Sequence, residues 1–181
     1  MNQLNIKTER LLIRQLTLDD LANFHLYRSN PEVAKYQGFD VMSIEQAEEF
    51  IKGNANRYFG IAGEWVQYAI EDILTKKLIG DCAIKLDQYD VRIAEIGITM
   101  SHLEQRKGYA KEALSGILKF LFEEKKLHRV VEIVDAENIA SINLLKSVGF
   151  RQEGHFIENI FFKGKWGSEF QYAMLQRDWN N

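Results

Sequence analysis

The strongest pattern in this sequence is a helix-forming segment that begins at Tyr109. Apolar residues recur along it at the three- and four-residue spacing of an amphipathic helix: Ala110, Ala113, Leu114, Ile117, Leu118 and Leu121. One side of such a helix is apolar and has to be covered. The segments before and after it are short and rich in β-branched residues, which favours strands. The pattern therefore predicts a helix that packs on a β-sheet.

The segment before this helix, residues 94–100, is predicted to be a strand with two different faces. Apolar side chains alternate along it with small or polar ones: Ile96, Ile98 and Met100 against Glu95, Gly97 and Thr99. Because neighbouring side chains of a strand point to opposite faces, one face is expected to be buried. The other face is suited to line a cleft.

The rest of the chain continues this mixture of strand and helix signals. Before residue 94 the sequence predicts a strand at 11–16, helices that start at Thr17 and at the capping box of Ser43 and Gln46, and an antiparallel pair formed by 65–70 and 78–86. The single proline, Pro31, lies where two early helical patterns meet. After the Tyr109 helix come a strand at 130–134, a helix ended by Gly149, and a closing hairpin formed by 156–162 and 170–175. The architecture is predicted to be a mixed-sheet α/β domain.

Composition narrows the class of protein. A chain of 181 residues that is 46% hydrophobic, without a low-complexity linker, is expected to form one domain over residues 1–181. A formal net charge of −3 gives no broad positive field for nucleic acid or anionic lipid. The single cysteine, Cys82, has no partner for a disulfide, and no apolar run is long enough for a signal or membrane segment. We expect a soluble, cytoplasmic protein that binds neither nucleic acid nor membrane.

A short polar turn, Gln105–Ala110, separates the 94–100 strand from the Tyr109 helix. The first backbone N–H groups of a helix have no partner within the helix and bind anions well. Gly108 allows close approach of a ligand, and Arg106 and Lys107 add positive charge. The Lys-Ser/Thr of a nucleotide-binding P-loop and the glycine spacing of a dinucleotide fingerprint are absent. A pyrophosphate would suit this turn, whereas nucleoside triphosphates and NAD are disfavoured.

The order of these motifs resembles the acetyl-CoA site of the GNAT superfamily of N-acetyltransferases. The motifs are a strand, Gln-x-x-Gly-x-Ala, a helix, a strand, Asn138-x-x-Ser141 and Gly149-Phe150. The opening at residues 8–14 and the ending at 164–179 resemble the RimJ/RimL type, which acetylates protein amino-termini, so that the likeness covers residues 8–179. Ala110 departs from the pattern, since those families often have glycine there. The resemblance implies a GNAT fold, with a mixed, mostly antiparallel twisted sheet flanked by helices and a splayed central strand pair.

The same resemblance implies acetyl-CoA as co-substrate and assigns residues to it. The backbone near Ile98, Thr99 and Met100 would bind the pantetheine arm and the acetyl oxygen, and Asn138 would bond the pantetheine region. The pyrophosphate would lie on the turn made of Gln105, Arg106, Lys107, Gly108, Tyr109 and Ala110. The side chains of Ile98 and Met100 are at the same time expected to be core.

Acyl transfer to an amine needs a neutral nucleophile and a proton for the departing thiolate. The resemblance makes Glu95 the first candidate for the base, with an ion pair at the end of a strand as its alternative role, and Glu158 is the second candidate. It also makes Ser141 the first candidate for the acid, and Tyr172 is the second. The alternative for Asn138 and Ser141 is that one of them simply caps the following helix.

The sequence leaves the acceptor and the assembly open. The expected function is acetyl transfer to a primary amine, first of all the α-amine of a protein or peptide; the alternatives are a polyamine, antibiotic or other small amine, or a non-catalytic acyl-CoA-binding module. Pocket walls are expected at 30–36, 59–65 and 161–166. His25, His102, His128 and His155 show no metal-ligand spacing, so no metal is expected. Exposed apolar residues such as Trp166 suit either a substrate or a homodimer.

Overall fold

The computed structural model describes residues 4–179, which form one eight-stranded sheet with helices on both faces. The strands are β1 Ile6–Lys7, β2 Leu11–Gln15, β3 Trp65–Asp72, β4 Leu78–Leu86, β5 Ile93–Met100, β6 Arg129–Asp135, β7 Arg151–Phe162 and β8 Lys165–Leu175. The helices are α1 Leu21–Arg28, α2 Pro31–Ala34, α3 Ile44–Asn54, α4 Tyr109–Lys119 and α5 Ile139–Ser147. No helix within residues 4–179 is long and apolar enough to cross a membrane.

The sheet has the strand order β1-β2-β3-β4-β5-β6-β8-β7 and a single parallel contact, between β5 and β6. Every other neighbouring pair is antiparallel. The parallel pair is short: Ile93, Ala94 and Glu95 lie opposite Arg129, Val130 and Val131, and the pairing ends there although both strands continue. The predicted mixed, mostly antiparallel sheet with a splayed central strand pair is confirmed. We call the opening between β5 and β6 beyond Glu95 and Val131 the fork.

Two apolar cores lie on the two faces of the sheet. In β3, Tyr68 and Ile70 belong to the larger core with α4 and α5, whereas the intervening Ala69 belongs to the smaller core with α1, α2 and α3. The alternation of side chains along a strand produces this division. The predicted amphipathic face of α4 is confirmed, because Ala113, Leu114, Ile117 and Leu118 are all buried.

The predicted helix starts and stops agree with the structure. Ser43 and Gln46 form the capping box of α3, Pro31 is the first residue of α2, and Gly149 ends α5 in a left-handed conformation with φ +96°. The closing hairpin is longer than predicted, since β7 begins at Arg151. Its turn, Lys163–Gly164, has positive φ at both residues, as in a type I′ turn.

The face of β5 that carries small and polar side chains was expected to line a cleft, but one of its residues, Thr99, is covered. Thr99 is buried, and its hydroxyl donates a hydrogen bond to Oε1 of Gln37 at 3.3 Å. Ile98, on the apolar face, is only partly buried. Both departures have one cause: beyond Glu95, β5 borders the open fork and no longer pairs with β6. Gln37, which follows α2, therefore covers Thr99 on one face of β5, and Ile98 on the other face borders a cleft.

Candidate active site

A cleft of about 450 Å³ lies where the fork opens. Its floor is the end of β5, and its sides are α2, the turn before α4, and the start of α5. Of the residues assigned to acetyl-CoA or to catalysis, those on its surface are Ile98, Thr99, Met100, Gln105, Arg106, Gly108, Tyr109, Ala110, Asn138 and Ser141. Residues assigned from three separate segments of the chain are thus brought together on one surface, with α2 as a fourth side.

The turn before α4 presents an open helix start to this cleft. Gly108 precedes the helix with φ +82°, and within the described residues no side chain caps it. The N–H of Glu112 is bonded to the carbonyl of Gly108 at 3.1 Å, so the N–H groups before it have no partner in the helix. Gly108 and Arg106 both have left-handed φ values, which glycine adopts without strain. The arrangement fits a phosphate-bearing ligand such as acetyl-CoA.

The outer side of this turn is held by the start of the chain. Arg10 donates from Nη1 to the carbonyl oxygen of Lys107 at 3.1 Å, and its Nε donates to Glu112 at 2.6 Å. Thr8 donates to the same carboxylate at 2.6 Å, and the Arg10 guanidinium lies 4.4 Å from the centre of the Tyr109 ring. The Thr8–Arg10 segment therefore stabilises the turn. In the sequence this segment was recognised only as part of the family resemblance.

Lys107 is the one residue of the turn that does not line the cleft. Its ammonium group forms a 2.8 Å ion pair with Glu104, on the protein surface. Arg106 does line the cleft, and no other arginine or lysine of the turn does so. A role of Lys107 toward the co-substrate stays a prediction.

Asn138 and Ser141 have different positions at the start of α5. Oδ1 of Asn138 accepts a hydrogen bond from the backbone N–H of Ser141 at 3.2 Å, so Asn138 caps the helix. The Ser141 hydroxyl makes no hydrogen bond within residues 4–179 and lies on the cleft surface. A free hydroxyl in the cleft is available to donate a proton.

Glu95 stands at the closed end of the fork, outside the cleft surface. Its half-buried carboxylate forms an ion pair with Lys85 of β4, whose ammonium lies 4.6 Å from the centre of the Trp65 ring. The ion pair that was the alternative role for Glu95 is therefore present. A role as base also stays a prediction.

The two second candidates lie away from the cleft. Glu158 is exposed in a bulge of β7 and has φ +47°; its backbone N–H donates a hydrogen bond to the Ser168 hydroxyl oxygen at 3.0 Å. Tyr172 is fully buried, and its hydroxyl donates to Oε1 of Gln152 at 3.2 Å. Neither side chain lines the cleft.

The α2 side of the cleft was predicted as an acceptor wall and contributes Glu32, Val33 and Tyr36. The structure adds Gln37, which sequence reasoning missed. The other two predicted walls, at residues 59–65 and 161–166, do not line this cleft. Within residues 4–179 no group of three histidine, cysteine, aspartate or glutamate side chains is arranged to hold a metal ion.

Comparison with known proteins decides the family. The profile of the family described as "Acetyltransferase (GNAT) domain" matches residues 10–151. The chain belongs to the GNAT acetyltransferases. This GNAT enzyme is 33% identical over 180 residues to the uncharacterized N-acetyltransferase YnaD of Bacillus subtilis, a match that covers 98% of the chain and 100% of YnaD. GNAT enzymes use acetyl-CoA as the acetyl donor, and the open turn and cleft suit that donor.

Two further relatives of this GNAT enzyme carry names that include a substrate. One is spermidine N(1)-acetyltransferase of Vibrio cholerae, 28% identical over 178 residues that cover 95% of this chain and 96% of that protein. The other is the solved structure of a putative ribosomal-protein-serine acetyltransferase from Vibrio cholerae, with a TM-score of 0.80 and 25% identity over 95% of this chain and 97% of that one. The two names point to different amines.

Proposed function

We propose that this GNAT enzyme transfers the acetyl group of acetyl-CoA to the α-amine of a protein or peptide, as RimJ/RimL-type enzymes do. The observation that carries the proposal is the composition of the cleft, whose surface includes an open helix start, a free serine hydroxyl and the α2 wall. The co-substrate side is the turn before α4, and the acceptor side is α2. The family match at 10–151 supports one acetyltransferase domain over residues 1–181, and a cytoplasmic location suits the free, buried thiol of Cys82.

Different residues of the cleft have different roles in acyl transfer. The N–H groups at the start of α4, with Arg106, bind phosphate, and Asn138 keeps the start of α5 in place. Acetyl-CoA supplies a thioester, whose thiol has a pKa of about 8.5 when it leaves. The Ser141 hydroxyl is placed to donate a proton to that sulfur, and a free backbone N–H of β5 beside the fork is placed to hold the acetyl oxygen.

Charges near the α2 wall favour a peptide over a polyamine. Lys35 follows α2, and the tip of the β7–β8 hairpin brings Lys163 and Lys165 to the same region. Lys165 forms a 3.0 Å ion pair with Glu137, so that this acid is not free to bind a second cation. A polyamine would find this acid occupied and Lys35 nearby, whereas Phe161 and Trp166, exposed on the hairpin outside the cleft, offer apolar contacts to the longer chain of a peptide.

Spermidine and related polyamines are the second candidate acceptors. The spermidine N(1)-acetyltransferase match over nearly the whole chain favours them, as does Glu32 on the cleft wall. The discriminating experiment incubates the enzyme and acetyl-CoA with a panel of free-amine peptides, spermidine, spermine and an aminoglycoside, with mass spectrometry of the products. A higher kcat/KM for peptides supports the first candidate; acetylation of spermidine alone replaces it with the second.

A further inference from the structure

The side chain of Glu132, in the middle of β6, is buried without a full set of partners. It is 6% exposed, and its Oε2 makes no hydrogen bond within residues 4–179. The other buried acids of the described chain all have hydrogen-bonded partners: Asp20, Glu71, Asp72 and Asp81. A buried polar atom without a partner costs free energy, and so such an atom in a folded protein calls for an explanation.

Glu132 occupies the first open position of the fork. The last pair between β5 and β6 is Glu95 with Val131, and the next residues on the two strands are Ile96 and Glu132. Ile98, on the cleft surface, is two residues farther along β5, a distance of about 7 Å at the rise of a strand. Glu132, like Glu95, is not part of the cleft surface; it stands at the closed end of the fork, and the cleft is the open end.

The neighbours of Glu132 leave its carboxyl group free to exchange a proton. On β8, Tyr172 lies directly opposite, but its hydroxyl is bonded to Gln152. On β5, Glu95 is the charged group of the described chain that acts on Glu132, and Lys85 of β4 pairs with Glu95 rather than with Glu132. Burial, and after it the negative charge of Glu95, raise the pKa of the Glu132 carboxyl group to about 8.

We propose that Glu132 takes up the proton that the acceptor amine loses during acetyl transfer. This inference rests on the proposed function. At neutral pH the acceptor arrives as an ammonium ion, and Glu132 loses its carboxyl proton to solvent. An N–H bond of the ammonium group then breaks and an O–H bond forms on Glu132. The neutral nitrogen bonds to the acetyl carbon, the carbon–sulfur bond breaks, and the nitrogen loses its second proton to solvent. The sulfur takes a proton from Ser141, which solvent then reprotonates, or from solvent directly.

Because the two groups have similar pKa values, the free-energy change of this proton transfer is small. An α-ammonium group has a pKa of about 8, close to that of the Glu132 carboxyl group, so neither direction of transfer is strongly uphill. An ordinary glutamate would be a much weaker base for the same proton. The energetic cost of a buried carboxyl group with one unpartnered oxygen is thus explained by its use.

The test compares the Glu132→Gln, Glu132→Asp and Glu95→Gln variants. Infrared spectroscopy of the free enzyme should show a protonated carboxyl band at neutral pH that disappears in E132Q and remains in E95Q. With a free-amine peptide or spermidine as acceptor, E132Q should lose about 10²-fold or more in kcat. The ionisation of Glu132 near pH 8 should disappear from the kcat profile, which is compared for acceptors of different known pKa because the amine titrates in the same range. E132D should restore part of both.

The outcomes separate the inference from the proposed function. If the wild-type enzyme acetylates no amine in the panel, the proposed function is wrong, whatever the infrared result. An active enzyme without the protonated carboxyl band at neutral pH overturns the inference. So does an E132Q variant that keeps most of its turnover, or one whose loss is uniform in pH and accompanied by a lower melting temperature, since those results mark a structural role.

Discussion

The Asn138 side chain accepts a hydrogen bond from the backbone N–H of Ser141, which assigns the helix cap to the asparagine and leaves the serine hydroxyl in the cleft. The two residues are therefore separable by mutation. Ser141→Ala should leave the Kd for acetyl-CoA nearly unchanged and lower kcat, by about 10²-fold or more if the hydroxyl is the general acid. Calorimetry and steady-state kinetics measure the two effects.

Asn138→Ala is the matched control, because it should lower the free energy of unfolding by about 1 kcal/mol through loss of the cap. An S141A variant that loses stability and keeps its turnover would show that the hydroxyl has no part in catalysis.

Gly108 tests the location of the phosphate site. Gly108→Asp places a side chain and a negative charge at the open start of α4, and should weaken acetyl-CoA binding by an order of magnitude or more. Gly164→Asp is the control: Gly164 has the same φ of +82°, but it lies at the hairpin turn with open space around it. Equal coenzyme affinity of folded G108D and wild type would place the pyrophosphate elsewhere.

Sequence patterns predicted the elements that build the cleft because those patterns are local. The apolar spacing after Tyr109, the capping box at Ser43 and the alternation along β5 each depend on residues within a few positions of one another. The turn before α4 was predicted for the same reason.

Side-chain partners distant in sequence were not predictable in this way. The bond from Arg10 to Glu112 joins residues 102 positions apart, and whether Lys107 faces a ligand or Glu104 depends on its rotamer. Glu132 did leave a signal, as the one charged residue within the β-branched run 130–134. The sequence could not show that β5 separates from β6 at that residue.

Glu95 is a predicted base that the structure also pairs with Lys85. If it assists removal of the amine proton, Glu95→Gln should lower activity most at low pH, where most amine is protonated, and high pH should partly rescue it. The pH profile must use an acceptor of known pKa, because the amine titrates in the same range. Lys85→Met removes the ion pair and keeps the carboxylate, so it serves as the control.

A uniform loss in E95Q at every pH, or no loss, removes the base role from Glu95. Glu158 would then be the remaining candidate from sequence and Glu132 the candidate from structure.

Glu132 also predicts how stability depends on pH. Its carboxyl pKa is about 8 in the folded protein and near the usual 4.5 when unfolded, so between these values the folded state binds more protons. The free energy of unfolding should therefore fall as pH rises through this window, by about 1.4 kcal/mol for each pH unit. Urea unfolding of wild type and E132Q at about pH 5, 6.5 and 8 measures the effect. The difference between the two proteins should favour E132Q increasingly toward pH 8; a constant difference would contradict the shifted pKa.

Lys163 connects the hairpin tip to the acceptor wall. Its ammonium group donates to the carbonyl oxygens of Ala34 and Phe39, the latter at 3.0 Å, and so fixes the hairpin against the end of α2. Because Val33 and Tyr36 on either side of Ala34 line the cleft, Lys163→Met should let this wall move. The KM for the amine acceptor should rise by about 2- to 10-fold, the equivalent of one hydrogen bond, with the Kd for acetyl-CoA unchanged.

Lys165→Met is the control for this last effect, since Lys165 lies on the same hairpin and its ammonium group forms an exposed ion pair with Glu137. K165M should keep the wild-type KM, because losing a surface pair does not release α2. An equal rise of KM in K163M and K165M would mean that the positive charge of the hairpin, and not the contact with α2, acts on the acceptor. Weaker acetyl-CoA binding in K163M would mean that the hairpin supports the whole cleft.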